Sequence, residues 1–177
     1  MSDSADLVET DGIGFRVSGI ASLIKNGGVI SAGDLAGLRR MDPRSPHPAF
    51  FKIEALLLEP ELPGEADSLA ELETRWAAVV AGLARLGGLH QSGRRLGQAL
   101  ANADYSELRF IRLIRASADQ LADELPALAR FCVAKGIPVD WSGAAFLVLS
   151  AGRPSEEPVR RHISRDYYGA LARRQNA

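Results

Sequence analysis

The side chains with chemistry to offer fall into two groups, and the smaller one holds the usual catalysts. Three histidines, His47, His90 and His162, lie far apart in the chain, and none sits at metal-ligand spacing. His162 precedes Asp166 by one helical turn, which reads as a local surface pair rather than a catalytic dyad. The single cysteine, Cys132, lies in the apolar run Ala129-Arg-Phe-Cys-Val-Ala, the setting of an inert buried thiol. One thiol also excludes an internal disulfide framework and a multi-cysteine zinc site. There is no P-loop, no Gly-x-Ser-x-Gly and no paired-histidine zinc motif. Gly12-Ile-Gly14 matches a fragment of a nucleotide-binding glycine motif, but the third glycine is misplaced and no strand precedes it. The expectation is a non-enzyme without metal or cofactor.

The larger group is arginine, and its chemistry is anion binding. The stretch from Asp104 to Arg115 reads Asp-Tyr-Ser-Glu-Leu-Arg-Phe-Ile-Arg-Leu-Ile-Arg. Asp104 and Glu107 have the spacing of a capping box that would start a helix. At 100° per residue, Phe110, Ile111, Leu113 and Ile114 share an apolar side. Arg109, Arg112 and Arg115 share the opposite side with Tyr105. Arg109 and Arg112 have no acid three or four residues away, whereas Arg115 has Asp119. Unpaired like charges one turn apart invite an external anion, a solvated face or tertiary salt bridges. Arginine forks suit phosphate oxygens, and aromatic faces can stack on unpaired bases. Residues 109–115 span about 9 Å of helix, enough for one or two phosphates, so an adequate site needs several helices.

The elements that must position these residues are helical. Residues 14–26 form a first helix with Phe15, Val17, Ile20, Leu23 and Ile24 roughly on one side, ended by Gly27-Gly28. A second starts at Ser31 with Asp34 three later, and carries Arg39 and Arg40. Met41 to Pro48 is a proline-rich loop, and residues 48–59 form a strongly apolar helix expected to be central. Ser68 and Glu71 suggest the cap of the longest helix, whose Trp76 reads as a core anchor. Ser92 to Leu100 reads as a short helix. Ser117 to Lys135 is helical, with Pro126 expected to kink or divide it. Asp140 caps a short helix and Ser155 caps the last one. There Val159, Ile163, Tyr167 and Ala170 share one side and Arg161, Arg165 and Tyr168 another, although Glu156 and Glu157 stand four residues before Arg160 and Arg161. No internal repeat and no convincing strand appears, so the fold class is all-α: a compact multi-helix bundle, with residues 14–89 and 90–177 as possible lobes behind a disordered acidic tail over 1–13.

The 177 residues suit one domain or two small lobes around a shared core. No apolar run has the length of a membrane span, and the acidic start lacks a signal region, so the expected location is cytoplasmic. Net charge is −1, which argues against strong free-standing nucleic-acid binding. The charge is uneven, with net −5 over residues 1–89 and net +4 over 90–177. That asymmetry points to a polyanion on one side and a protein partner on the other.

Several segments, taken in order, resemble the CasB family, the small subunit of the type I-E CRISPR surveillance complex Cascade. They are Gly33-Asp-Leu-Ala-Gly-Leu-Arg-Arg40, Pro48-Ala-Phe-Phe51, Ser92-Gly-Arg-Arg-Leu-Gly97, Tyr105-Ser-Glu-Leu-Arg-Phe-Ile-Arg-Leu113, Asp140-Trp141 and Val159-Arg-Arg-His-Ile-Ser-Arg-Asp-Tyr-Tyr168. The resemblance covers roughly residues 15–168. It implies a non-catalytic all-α subunit present in two copies, beside the repeated backbone subunits and the large subunit, that helps hold guide RNA, target DNA and the displaced strand. Base pairing then reads sequence while protein reads backbone and shape. Carried over by position, the implied phosphate-contacting residues are Arg39, Arg40, Lys52, Arg94, Arg95, Arg109, Arg112, Arg115, Arg161 and Arg165, with Tyr105 and Tyr168 as aromatic neighbours. The competing reading is a helical protein-interaction or regulatory module that leaves nucleic acid alone and neutralises these arginines internally. A helix-turn-helix reader is disfavoured, because Leu108-Arg-Phe-Ile does not look like the base-reading start of a recognition helix.

Overall fold

A computed structural model describes residues 3–58 and 66–176, and the side chains of residues 12–58 and 69–176. Among these residues there are nine α-helices and no strand, as an all-α bundle requires. They are α1 (Asp3–Asn26), α2 (Ala32–Arg40), α3 (Pro48–Ile53), α4 (Ala66–Leu86), α5 (Leu96–Asn102), α6 (Glu107–Arg115), α7 (Ala118–Lys135), α8 (Ser142–Ser150) and α9 (Glu156–Gln175). A π-helical turn, Glu54–Leu58, continues α3, and a 3-10 turn, Gly87–Leu89, follows α4. None of the helices is long and apolar enough to cross a membrane.

The organising element is α4. From Arg75 to Ala84 every residue is buried, which a helix tolerates only when neighbours surround it. Its alanines and Gly82 let those neighbours come close. A Cβ on Gly82 would lie 2.2 Å from the Trp141 indole, and that indole donates from Nε1 to the Val79 carbonyl at 3.1 Å. Trp76 is buried, as a core anchor should be. α7 lies along α4, α8 crosses between α4 and α1, and α5 packs on α9. One hydrophobic cluster runs through all of them, from Val17 to Ala170.

Local chemistry sets most helix ends. At α2, Ser31 and Asp34 close the expected capping box, Asp34 N–H donating to Ser31 Oγ and Ser31 N–H to Asp34 Oδ2. Ser117 and Gln120 close a second box at α7. Gly136 stops α7 in the left-handed conformation, φ 63°, that a Cβ would disfavour.

Several expectations meet a different outcome. Of the two outcomes expected at Pro126, division does not occur: α7 is continuous from Ala118 to Lys135 with the proline inside it. α4 begins at Ala66, so Ser68, expected at its start, lies inside the helix. Phe15 is 77% exposed, because α1 turns only Val17, Ile20 and Ile24 fully inward. The apolar 48–59 segment gives one side to the core, with Ala49, Phe50, Ile53 and Leu58 buried and Phe51 and Leu56 exposed; α4 is the helix buried all round, and Glu59 lies outside the described residues. Ser155 precedes α9 without a side-chain cap bond. The expected acidic tail, 1–13, overlaps α1, whose backbone is helical from Asp3.

Candidate nucleic-acid interface

The α6 helix is docked on α9 by aromatic rings. Phe110 and Tyr167, both buried, stack at 3.8 Å between centroids with planes 5° apart. Tyr168 stands edge-on to both, at 5.9 Å from Phe110 and 5.3 Å from Tyr167. The Tyr167 hydroxyl donates to the Tyr105 carbonyl at 2.6 Å, so the chain entering α6 is tied to the same ring. At the far end Arg160 donates to the Ala116 carbonyl at 2.8 Å, which makes α6 and α9 antiparallel neighbours.

The expected capping box at Asp104 does not form. α6 starts after Ser106, with no side-chain cap. Asp104 takes φ +58°, a left-handed conformation that aspartate tolerates, and accepts from Arg174 at 2.7 Å. That pairing, with the Arg174 charge, holds its carboxyl below the usual range. Glu107 instead accepts from the Tyr168 hydroxyl at 3.0 Å. Tyr105 is buried and sits edge-on to Phe131 at 4.9 Å, so it supports the arginine face from inside and offers no stacking surface. Burial, and then the Glu124 charge, pushes its hydroxyl pKa up. Tyr168 is 42% exposed and remains available to a ring.

The arginines of α6 reverse their expected pairing. Arg112, with no local acid, meets Glu124 of α7 at 3.0 Å. Arg115 makes no bond with Asp119; it and Arg109 are exposed and without an acceptor among the described residues. Ile111 also leaves the expected apolar side and is exposed, next to Leu108, which is 80% exposed. The outer face of α6 is thus cationic with an apolar centre.

The remaining candidates divide in the same way. Arg165 on α9, Arg94 in the loop before α5 and Arg40 at the end of α2 are exposed and unpaired among the described residues. Arg161 pairs with Glu157 at 2.8 Å, Arg95 with Asp166 at 3.2 Å, and Lys52 with Asp34 at 2.8 Å. Arg39 donates from Nε to the Ala84 carbonyl at 2.9 Å, a neutral partner that leaves its charge uncompensated. Of the candidates, Arg109, Arg112 and Arg115 therefore lie on α6 and Arg161, Arg165 and Tyr168 on the neighbouring α9, with Tyr168 joined to Glu107 of α6 and Arg112 turned to Glu124 of α7. Arg39, Arg40 and Lys52 lie on α2 and α3, away from the α6–α9 seam. Arg94 and Arg95 sit on a loop strapped by Asp140, which accepts from Gly93 N–H at 2.8 Å and Ser142 N–H at 3.0 Å. His162 lies 3.5 Å from Asp166, the expected surface pair.

Sequence reasoning passed over Arg85 and Arg130, whose proximity no local spacing reveals. It also passed over Arg75, buried in α4, which donates to the Ala151 carbonyl at 2.7 Å and reaches the Val148 and Leu149 carbonyls at the end of α8. Cys132 is buried and its thiol is pushed up to about 11 by burial, as an inert thiol should be. No three histidine, cysteine or acidic side chains among the described residues are grouped to hold a metal. A groove of about 580 Å³ between α8 and α9 is lined mainly by Leu96, Phe146, Leu149, Val159 and Ile163. The carboxylates at its edge, Asp140 and Asp166, are already engaged by backbone N–H groups and by Arg95.

Comparison with curated proteins and with solved structures returns no match. The family model for CRISPR-associated protein Cse2 matches residues 34–168, a span that runs from the α2 capping box to Tyr168. With that match covering most of the chain, the protein belongs to the CRISPR-associated Cse2 family, that of the CasB subunit of Cascade.

Proposed function

We propose that this Cascade subunit is non-catalytic and stabilises opened target DNA by holding nucleic-acid backbones on the α6–α9 seam. Its partners in this reading are the repeated backbone subunit, the large subunit, a second copy of itself, guide RNA and target DNA, in the cytoplasm. The observation that carries it is the pair of unneutralised arginines, Arg109 and Arg115, on a helix whose inner face is held by the Phe110–Tyr167 stack. Fixed cations on a docked helix contact phosphates without the entropy of ordering a loop. Opening a duplex against a guide is a near-balanced exchange, so a few backbone contacts tip it. A net charge of −1 fits contacts that act within an assembly better than capture of free DNA.

The test is target retention by the guide-loaded complex across a salt series, with the wild-type chain and with Arg109→Gln/Arg115→Gln/Arg165→Gln. Losing three phosphate contacts flattens the log–log salt dependence by about 2 to 3. A fully assembled triple variant with the wild-type slope would remove these residues from the site.

The competing reading, a helical interaction module, draws on the pairing of Arg112, Arg161, Arg95 and Lys52 with acids of the same chain. It predicts that the triple variant changes subunit incorporation and leaves the salt slope of retention alone.

A further inference from the structure

We infer that the phosphate track does not end at α6 but crosses α7 to a second anion-binding site, built from Arg130 of α7, Arg85 at the end of α4, and Arg39 and Arg40 at the end of α2. The inference rests on the reading above and adds a site that includes two residues outside it.

The periodicity of α7 gives the route. Glu124 and Phe131, seven residues apart, lie on one stripe of α7 and both face α6, through Arg112 and Tyr105. Asp123 and Arg130, also seven apart, lie on the next stripe, about 100° round the helix. Asp123 is held there by Arg44 at 2.8 Å, and Arg130 comes near enough to Arg85 for their charges to interact. Arg109 reaches the charge environment of Tyr105, whose ring packs on Phe131, the residue after Arg130. Arg130 thus stands one stripe round α7 from the residues that face α6, on the side of Arg85. Arg39 is bonded to the carbonyl of Ala84, the residue before Arg85.

Charge balance marks this end as a site. None of these four arginines has a salt-bridge partner among the described residues, whereas Arg44 close by does. Arg85 donates to the Ala81 carbonyl at 3.0 Å and Arg39 to the Ala84 carbonyl, both in the last turns of α4. Two helix C-termini, those of α2 and α4, supply about half a negative charge each. Four positive charges therefore meet roughly one negative charge. Arg85 is also half-buried, and its guanidinium pKa is pushed down by burial and then by Arg130, with no carboxylate acting against either. A desolvated cation beside a like charge is relieved by a polyanion. Guanidinium groups bind phosphodiester oxygens whatever the base, so the contact is indifferent to sequence.

The experiment uses the guide-loaded complex and three forms of the chain: Arg85→Gln/Arg130→Gln, the α6–α9 triple variant and Arg44→Gln as a paired neighbour. Target retention is read against salt. The expected result is a slope shallower by about 1 to 2 for Arg85→Gln/Arg130→Gln, the wild-type slope for Arg44→Gln, and an effect of the triple variant on top. A wild-type slope for assembled, normally melting Arg85→Gln/Arg130→Gln overturns this inference alone. Wild-type slopes for it and the triple variant overturn both readings. If the double variant melts normally but fails to enter the complex, the cluster is a subunit contact, and the second anion site is again overturned. Arg130→Gln, at an exposed position, repeats the measurement should Arg85→Gln unfold the chain.

Discussion

Replacing Gly97 by alanine tests how the arginine-bearing elements are held. α5 lies directly against α9, and a Cβ at Gly97 would fall 2.3 Å from the Ile163 carbonyl oxygen and 2.8 Å from the Tyr167 nitrogen. Both are backbone atoms of a helix, so neither can swing aside as a side chain would. Ordinary contact begins near 3.4 Å, so the helices must part by about 1 Å. Overpacking of this kind costs roughly 1–3 kcal/mol, while the helix preference of alanine over glycine returns somewhat under 1 kcal/mol. The net expectation is about 1–2 kcal/mol, or a thermal midpoint lowered by about 2–8 °C for a chain of this size. The parting also moves Arg95 from Asp166, two residues before the clash. Urea and thermal denaturation of wild type, Gly97→Ala and Gly88→Ala would measure it. Gly88 has no atom within 4 Å of its would-be Cβ and serves as the neutral control. A Gly97→Ala midpoint equal to or above that of Gly88→Ala would refute the close approach of α5 and α9.

Arg75→Leu removes a guanidinium that caps the end of α8 from inside the core; a loss of about 2–3 kcal/mol in urea denaturation is expected, and a neutral result would mean those carbonyls find other donors. His90 accepts from Trp141 N–H at 3.1 Å through Nδ1, and burial, opposed by Asp140, lowers its pKa. The unfolded chain therefore binds the extra proton more readily, so stability falls as pH drops from the ordinary histidine value of 6.5 through the lowered folded value. His90→Asn keeps an acceptor without a titrating ring, and its urea midpoint should lose most of that slope between pH 7 and about 5. The Asp34 carboxyl is lowered to about 2, first by its hydrogen bond from Lys52 and then by Ser31. Its contribution to the start of α2 is present above pH 3.8 and is lost as pH falls through about 2. In Lys52→Met an NMR titration should find this carboxyl closer to 3.8; an unchanged value would show that Ser31 alone sets it.

Much of the architecture was legible in the sequence because helices are decided by near neighbours. In the last helix Ile163, Tyr167 and Ala170 go inward as their spacing says, with Val159 partly buried beside them, and the Ser31–Asp34 box closes because both partners lie within one turn. Trp76 and Cys132 are buried in the apolar runs that contain them. The family, too, is written in the order of short segments from α2 to Tyr168. The electrostatics of the arginine face were not legible. Arg112 finds its acid 12 residues away, Arg95 finds one 71 residues away, and Arg115 ignores the acid four residues on. Asp104 turns from its expected cap to Arg174, 70 residues along, and Tyr105 goes inside to Phe131. Helix periodicity says which side of an element faces the core, but not which neighbour lies against the other side. That is set by how α4 gathers α7 and α8, and by how Gly97 admits α5 to α9. Only there is it decided which arginines are neutralised and which, Arg109, Arg115 and Arg165 among them, keep an uncompensated charge.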